Sequence, residues 1–236
     1  AEETRKAGAE PMIGLISLSS AEINARIEEC KRIGIRDFQI SLPAWSELSE
    51  DETLDFFDFI CGNNTDCRFL HYNLLRSKRI VDPLEYRKIE KRNPNLVATK
   101  ITTDSIRYLG KLFEYTEELR HFVTDLNLPY ASLLGECGFL IATASCNWKT
   151  AKRYFDASSS GNVPEALGLQ KSLVRLNTDL RGLVLPHGSI DGAFDKMYVK
   201  LHQPEFPLRL LPPYHYVPDS TFAEFKKLLA EKYPEW

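Results

Sequence analysis

Two residues have the types and spacing for chemistry on a carbonyl group, Tyr72 and Lys100. Tyr72 stands near the end of Arg68-Phe69-Leu70-His71-Tyr72-Asn73, and Lys100 near the end of Asn95-Leu96-Val97-Ala98-Thr99-Lys100-Ile101. A lysine amine adds to a ketone or aldehyde only in its neutral form, which desolvation favours over the ammonium. A neighbouring phenol can accept and return the protons that Schiff-base formation and carbon–carbon cleavage move. The plainer alternative leaves Lys100 capping a strand with its ammonium in solvent and Tyr72 in the core, since strand-end lysines are common and buried ones rare.

The elements that must position these residues follow from periodicity. Both runs read as short buried strands. Between them Pro83 to Arg92 is charged, with Leu84, Tyr86 and Ile89 at helical spacing. A strand–helix–strand unit makes its strands parallel neighbours with both C-terminal ends on one side. A period of two puts Leu70 and Tyr72 on one face, and likewise Leu96, Ala98 and Lys100.

The same alternation runs through the first two thirds of the chain. Met12 to Ser17 reads as a strand, followed by a helix capped at Ser19 or Ser20 with Ile23, Ile27, Cys30 and Ile33 inward. Asp37 to Leu42 is the next strand, and Glu50 opens an acidic helix with Leu54, Phe57 and Ile60 inward. After Lys100, Asp104 is expected to cap a helix carrying Ile106, Leu109 and Leu112. His121 to Thr124, a short helix over Leu126 to Leu134, a last strand over Phe139 to Ala142 and a helix from Trp148 to Ala157 complete six alternations. Such alternation predicts an α/β fold, a parallel sheet with helices outside. Beyond it only helices are expected: a long one from Pro164 to about Leu183 with Leu167, Leu169, Leu173, Leu176 and Leu180, another over Gly192 to Leu201, and a last one marked by Phe222, Phe225, Leu228 and Leu229. The expected division is a βα domain over 1–160 and a helical extension over 161–236.

Tyr72-Asn73-Leu74-Leu75-Arg76-Ser77, followed 28 positions after Tyr72 by Lys100 in Val97-Ala98-Thr99-Lys100-Ile101-Thr102-Thr103, resembles the dihydrodipicolinate synthase/N-acetylneuraminate lyase family. In that family a tyrosine in a Tyr-Asn-x-Pro-x-Arg loop and a lysine in a Gly-x-Lys strand have this separation. Gly138-Phe139-Leu140-Ile141-Ala142-Thr143-Ala144 is similar to its Gly-x-Ile-Ser-x-Thr strand. The likeness covers nearly the whole chain and favours the Schiff-base reading of Lys100. It implies a TIM (β/α)8 barrel with a C-terminal helical extension, of which six βα units, the third to the eighth, are visible here. Eight units close a barrel and abolish sheet edges, so two further units are expected ahead of residue 1 unless the chain is a shortened form.

The site residues implied by the resemblance lie at the C-terminal ends of the strands. Lys100 would form the imine with pyruvate or another 2-keto acid, and Tyr72 would relay protons. Thr102 and Thr103 would contact the distal part of the substrate, or else serve as a strand-end cap. Thr124 and the backbone near Leu140 would border the site. Three departures matter. The family's paired-hydroxyl turn, which holds the keto-acid carboxylate, belongs to the two units not seen. The proline of the tyrosine loop is Leu75, and its arginine position falls on Ser77, with Arg76 and Arg79 as candidate carboxylate ligands nearby. Pro43-Ala44-Trp45 stands where dihydrodipicolinate synthases carry Pro-Tyr-Tyr, and the Trp45 indole offers only a donor. That argues against the lysine-biosynthetic reaction and for a paralogue acting on another aldehyde or sugar acid. The competing reading is a catalytically impaired barrel homologue that binds small acids or serves in assembly.

Composition bounds the rest. A chain of 236 residues with net charge −3 and interspersed signs carries no footprint for nucleic acid or anionic membrane. No apolar run is long enough for a membrane span, and Ala1-Glu2-Glu3-Thr4-Arg5-Lys6 does not read as a signal peptide. Five scattered cysteines suit a reducing cytoplasm. Cys61 and Cys67 could form a disulfide or half a metal site, but two thiols flanking a loop is the simpler reading. Five dispersed histidines predict no metal. The resemblance implies no cofactor, a small-molecule 2-keto acid with an aldehyde or sugar-acid partner, and a homo-oligomer, dimer or tetramer.

Overall fold

A computed structural model describes residues 1–187 and 190–236 and divides the chain into two compact units, Ala1–Phe139 and Leu140–Trp236. The first unit holds six strands: β1 (Met12–Leu15), β2 (Asp37–Ile40), β3 (Arg68–Asn73), β4 (Leu96–Ile101), β5 (Arg120–Val123) and β6 (Cys137–Phe139). They form one sheet in sequence order, and each neighbouring pair is parallel. Its helices are α1 (Glu2–Lys6), α2 (Ser20–Arg32), α3 (Glu50–Gly62), α4 (Pro83–Arg92), α5 (Ile106–Tyr115) and the single turn α6 (Leu128–Ala131).

Local chemistry starts these helices where the crossovers need them. Ser49 and Glu52 form a capping box at α3, and Asp82 and Glu85 form another at α4, where Pro83 occupies the first turn. Ser19 caps α2. The cap of α5 is Ser105, whose side chain accepts from the Tyr108 amide, rather than Asp104. Thr103 explains the shift: its Oγ1 accepts from the Ser105 amide and turns the chain one residue later.

The helix-facing side of the sheet carries the core. Phe38, Ile40, Phe69, Leu96 and Ile101 pack there with Ile23, Ile27, Phe57, Ile60, Tyr86 and Ile89. Leu96 is not on the face of Lys100, because a register shift between Phe69 and Leu70 admits an extra residue in β4; Phe69 pairs with Leu96 and Leu70 with Ala98. Ile33, Leu84 and Ile106 are exposed rather than inward, since each sits at a helix end where the apolar stripe has run out. Cys61 and Cys67 are free thiols, both buried. Burial pushes the Cys67 thiol up to about 11 and moves that of Cys61 further in the same direction, so neither is poised as a thiolate.

The second unit contains α7 (Trp148–Ser159), α8 (Val163–Val184), α9 (Asp191–His202) and α10 (Asp219–Lys232). Leu169, Leu173, Leu176 and Leu180 form the buried stripe of α8, while Leu167 is half-buried. Asn147 caps α7 and also donates to the Glu235 carbonyl at 3.1 Å, while Trp236 donates to Ser172 at 3.2 Å, which ties the chain end to α7 and α8. No helix among the described residues is long and apolar enough to cross a membrane.

Candidate active site

The inner face of the sheet, opposite the helix-side core, carries a different set of side chains. Tyr72 on β3 pairs in register with Lys100 on β4, which pairs with Phe122 on β5, which pairs with Gly138 on β6. The lysine is 7% exposed although it ends a strand. Its Nζ donates to the Tyr72 hydroxyl at 3.0 Å and to Thr102 Oγ1 at 3.0 Å, and lies 4.3 Å from the centre of the Tyr72 ring. Both hydrogen-bond partners are hydroxyls, so addition of this amine to a carbonyl breaks no ion pair to them. Gly138 has a steric reason: a Cβ there would lie 2.7 Å from the Phe122 ring, which fills that part of the face.

Asn73 holds the loop behind Tyr72. Its amide donates to the Val81 carbonyl and accepts from the Val81 amide, each at 3.0 Å, and donates to the Tyr108 hydroxyl. The two bonds to Val81 close the loop between β3 and α4 and the third reaches α5, so the strand end that carries Tyr72 is fixed on both sides. In the sequence Asn73 stands out only as the second residue of the loop motif that begins at Tyr72.

Two histidines support the pair from the opposite face. His71 is fully buried, with Nδ1 2.6 Å from the Tyr86 hydroxyl and its ring edge-on to Phe57. His121 bridges two hydroxyls, Thr99 at 2.8 Å and Thr116 at 2.9 Å. Burial pushes His71 down to about 3 and His121 down to about 4. Both are therefore neutral at pH 7 and bring no charge to the site. Unfolded histidine titrates near 6.5, so between about pH 6.5 and 4 the unfolded chain binds more protons and folding stability falls as pH falls. Above pH 6.5 the two residues contribute no pH dependence. The urea-unfolding free energy of His71→Phe is expected to change less between pH 7 and 4.5 than that of the wild type, by roughly 2–3 kcal/mol. Parallel curves for the two proteins would refute the assignment.

The remaining candidates are distributed. Thr103 serves in the turn before α5, and its carbonyl accepts from Asn127 at 2.6 Å, whereas the Thr102 hydroxyl meets Lys100. Thr124 follows β5 and starts a 3-10 turn, Asp125–Asn127. Leu140 opens the second unit: the last strand ends at Phe139, so of the predicted strand Phe139 to Ala142 only the first residue lies in the sheet, and Ala142–Ser145 form a 3-10 turn. Trp45 is 80% exposed, and its carbonyl accepts from Lys78 at 2.9 Å. Arg76 is exposed on the 3-10 turn Leu75–Ser77, in which Ser77 is buried. Arg79 is engaged elsewhere: it pairs with Glu85 and donates to the Leu48 carbonyl and to Thr53. It ties the capping box of α4 to the start of α3. With both side chains about seven-eighths buried, Arg79→Ala is expected to lower stability by about 2–4 kcal/mol through the stranded Glu85 carboxylate. Urea denaturation measures it, and a loss under 0.5 kcal/mol would contradict it.

The chain is 24% identical over 223 residues to an uncharacterized DapA-like lyase of Pyrococcus horikoshii, which covers 93% of this chain and 76% of that one. A second DapA-like lyase, of Pyrococcus furiosus, is 23% identical over 224 residues, 92% of this chain and 72% of its own. Over most of its length the chain is thus similar in sequence to DapA-like lyases. Solved structures agree in fold: a dihydrodipicolinic acid synthase family protein from E. coli K12 in complex with pyruvate superposes with TM-score 0.81 at 18% identity, over 97% of this chain and 77% of that one. N-acetylneuraminate lyase from Fusobacterium nucleatum superposes with TM-score 0.79 at 16% identity, over 98% and 77%. No protein-family model matches the chain. The architecture is therefore the α/β fold of these TIM-barrel enzymes, with a helical C-terminal portion.

Proposed function

We propose that this protein is a Schiff-base-forming lyase, aldolase or dehydratase acting on pyruvate or another 2-keto acid. The observation that carries the reading is a lysine 7% exposed at a strand's C-terminal end with a phenol 3.0 Å from its amine. The names of the curated relatives, DapA-like lyases, and the pyruvate complex of a structural neighbour support the same class. In this reading the neutral Lys100 amine adds to C2 of the keto acid and forms a carbinolamine. The Tyr72 hydroxyl then delivers a proton to the departing C2 oxygen, which leaves as water, and the imine remains. The imine withdraws electrons from the adjacent carbon, so a bond one carbon further on can break and leave an enamine. Thr102 keeps the amine in line by accepting from it between these steps. Trp45 offers no exchangeable acid for a proton shuttle, which favours a substrate other than that of the lysine-biosynthetic reaction.

The test is reductive trapping. With pyruvate and sodium borohydride, peptide mass mapping is expected to find a stable secondary-amine adduct on Lys100. Absence of an adduct with pyruvate and with several longer 2-keto acids would overturn the reading.

A further inference from the structure

One hydroxyl on the inner face has no function so far. β2 lies beside β3, with Gln39 level with Leu70 and Ile40 level with His71. Leu70 shares the face of Tyr72, so Gln39 does too, and two residues on Ser41 comes level with Tyr72 on the adjacent strand. Ser41 is 3% exposed, and its Oγ is buried without a hydrogen-bond partner. Buried hydroxyls are nearly always paired, and one that is not calls for an explanation.

The surroundings narrow what would pair with it. A carboxylate entering this face loses its water and needs donors in exchange. Donors are few here: Arg79 is held by Glu85, and His71 and His121 face the helices. Adjacent strands lie about 4.8 Å apart, so Ser41 stands one strand from Tyr72 and two from Lys100, on the side away from Phe122.

We propose that Ser41 is a substrate-binding residue, its hydroxyl donating to an oxygen of the 2-keto acid held at Lys100. The proposal rests on the imine reading of Lys100. It explains why a polar side chain is kept where alanine or valine would fill the space without an unpaired group.

The experiment is borohydride trapping on the full chain over a range of pyruvate concentrations, with wild type and Ser41→Ala compared by the fraction of Lys100 labelled. Thermal unfolding of both proteins accompanies it. Ser41→Ala is expected to raise the half-saturating pyruvate concentration about tenfold. It should leave the labelling plateau on Lys100 in place and the melting temperature equal to or above that of the wild type. An unchanged half-saturating concentration would overturn the Ser41 assignment while leaving the imine reading intact. So would a melting temperature several degrees lower, since it would reveal a structural partner for the hydroxyl. No adduct on wild-type Lys100 at any concentration would sink both, because Ser41 would have no anchored acid to meet.

Discussion

Lys100→Met is expected to abolish pyruvate-dependent borohydride labelling and to remove turnover of any 2-keto acid to background. The argument is chemical before it is structural. A covalent catalyst works by splitting one difficult step into two, and without the amine neither step exists; a thioether forms no imine. The size of the loss follows from that, since the residues around Lys100 on this face offer no second amine: Tyr72 is level with it on β3, Phe122 on β5, and Ala98 lies two residues before it. Methionine suits the test because it is flexible, fills nearly the same volume and leaves Tyr72 and Thr102 their hydroxyls. The urea-unfolding free energy of the variant should stay within about 1 kcal/mol of the wild type, as expected for a near-isosteric change. Retained labelling at another lysine would show that the reactive amine lies elsewhere, and a variant that turns over normally would show that catalysis does not pass through an imine on Lys100; a wild type that neither labels nor turns over any 2-keto acid would favour the binding-protein alternative.

Which parts of this site can be read in the sequence has a physical answer. Tyr72 and Lys100 stand out because each breaks an apolar run at the end of a strand, and the helix between them makes those strands neighbours. The order of strands follows from the same alternation, since short crossovers leave few topologies open. The errors sit where tertiary contacts override local pattern. Leu96 leaves the face of Lys100 because of a register shift that no periodicity encodes. Asp104 and Ser105 are both good caps, and only the bond from the Ser105 amide to Thr103 decides between them. The strand after Gly138 stops at Phe139, and the sequence run Leu140 to Ala142 is apolar enough to disguise that.

The supporting shell was hidden for a different reason. His71 and His121 read as two of several dispersed histidines, yet they occupy level positions across the sheet, since His71 pairs with Thr99 and Thr99 with His121. A histidine in a strand announces neither its burial nor its hydroxyl partners. Ser41 is hidden likewise: a serine two residues before a proline looks like turn chemistry, and only its lack of a hydrogen-bond partner marks it. Arg79 illustrates the converse. Its place in the tyrosine loop invites a carboxylate role, but Glu85 lies one helical turn into α4 and takes the guanidinium.

Tyr72→Phe is the second large effect expected. The phenol is the hydrogen-bond partner of the Lys100 amine, at 3.0 Å, and the substitution removes one oxygen while leaving the ring against which the amine rests. Loss of a proton-transfer group costs typically two to four orders of magnitude in rate. The loss should fall on the formation of the imine and on the later cleavage, both of which move a proton at this position. It should not fall on the capacity to form the imine at all, because the amine remains. Trapping with excess pyruvate is therefore expected to reach the wild-type plateau of labelled Lys100, only about a hundredfold or more slowly, while turnover drops by about 10²–10⁴. Lys100→Met and Tyr72→Phe thus separate nucleophile from proton carrier by one measurement, labelling against time. Tyr72→Phe labelling as fast as the wild type would remove the phenol from the mechanism and leave it a packing role beside the lysine. Labelling absent at long times would instead mean that Tyr72 holds the amine in place, and that its ring alone cannot do so.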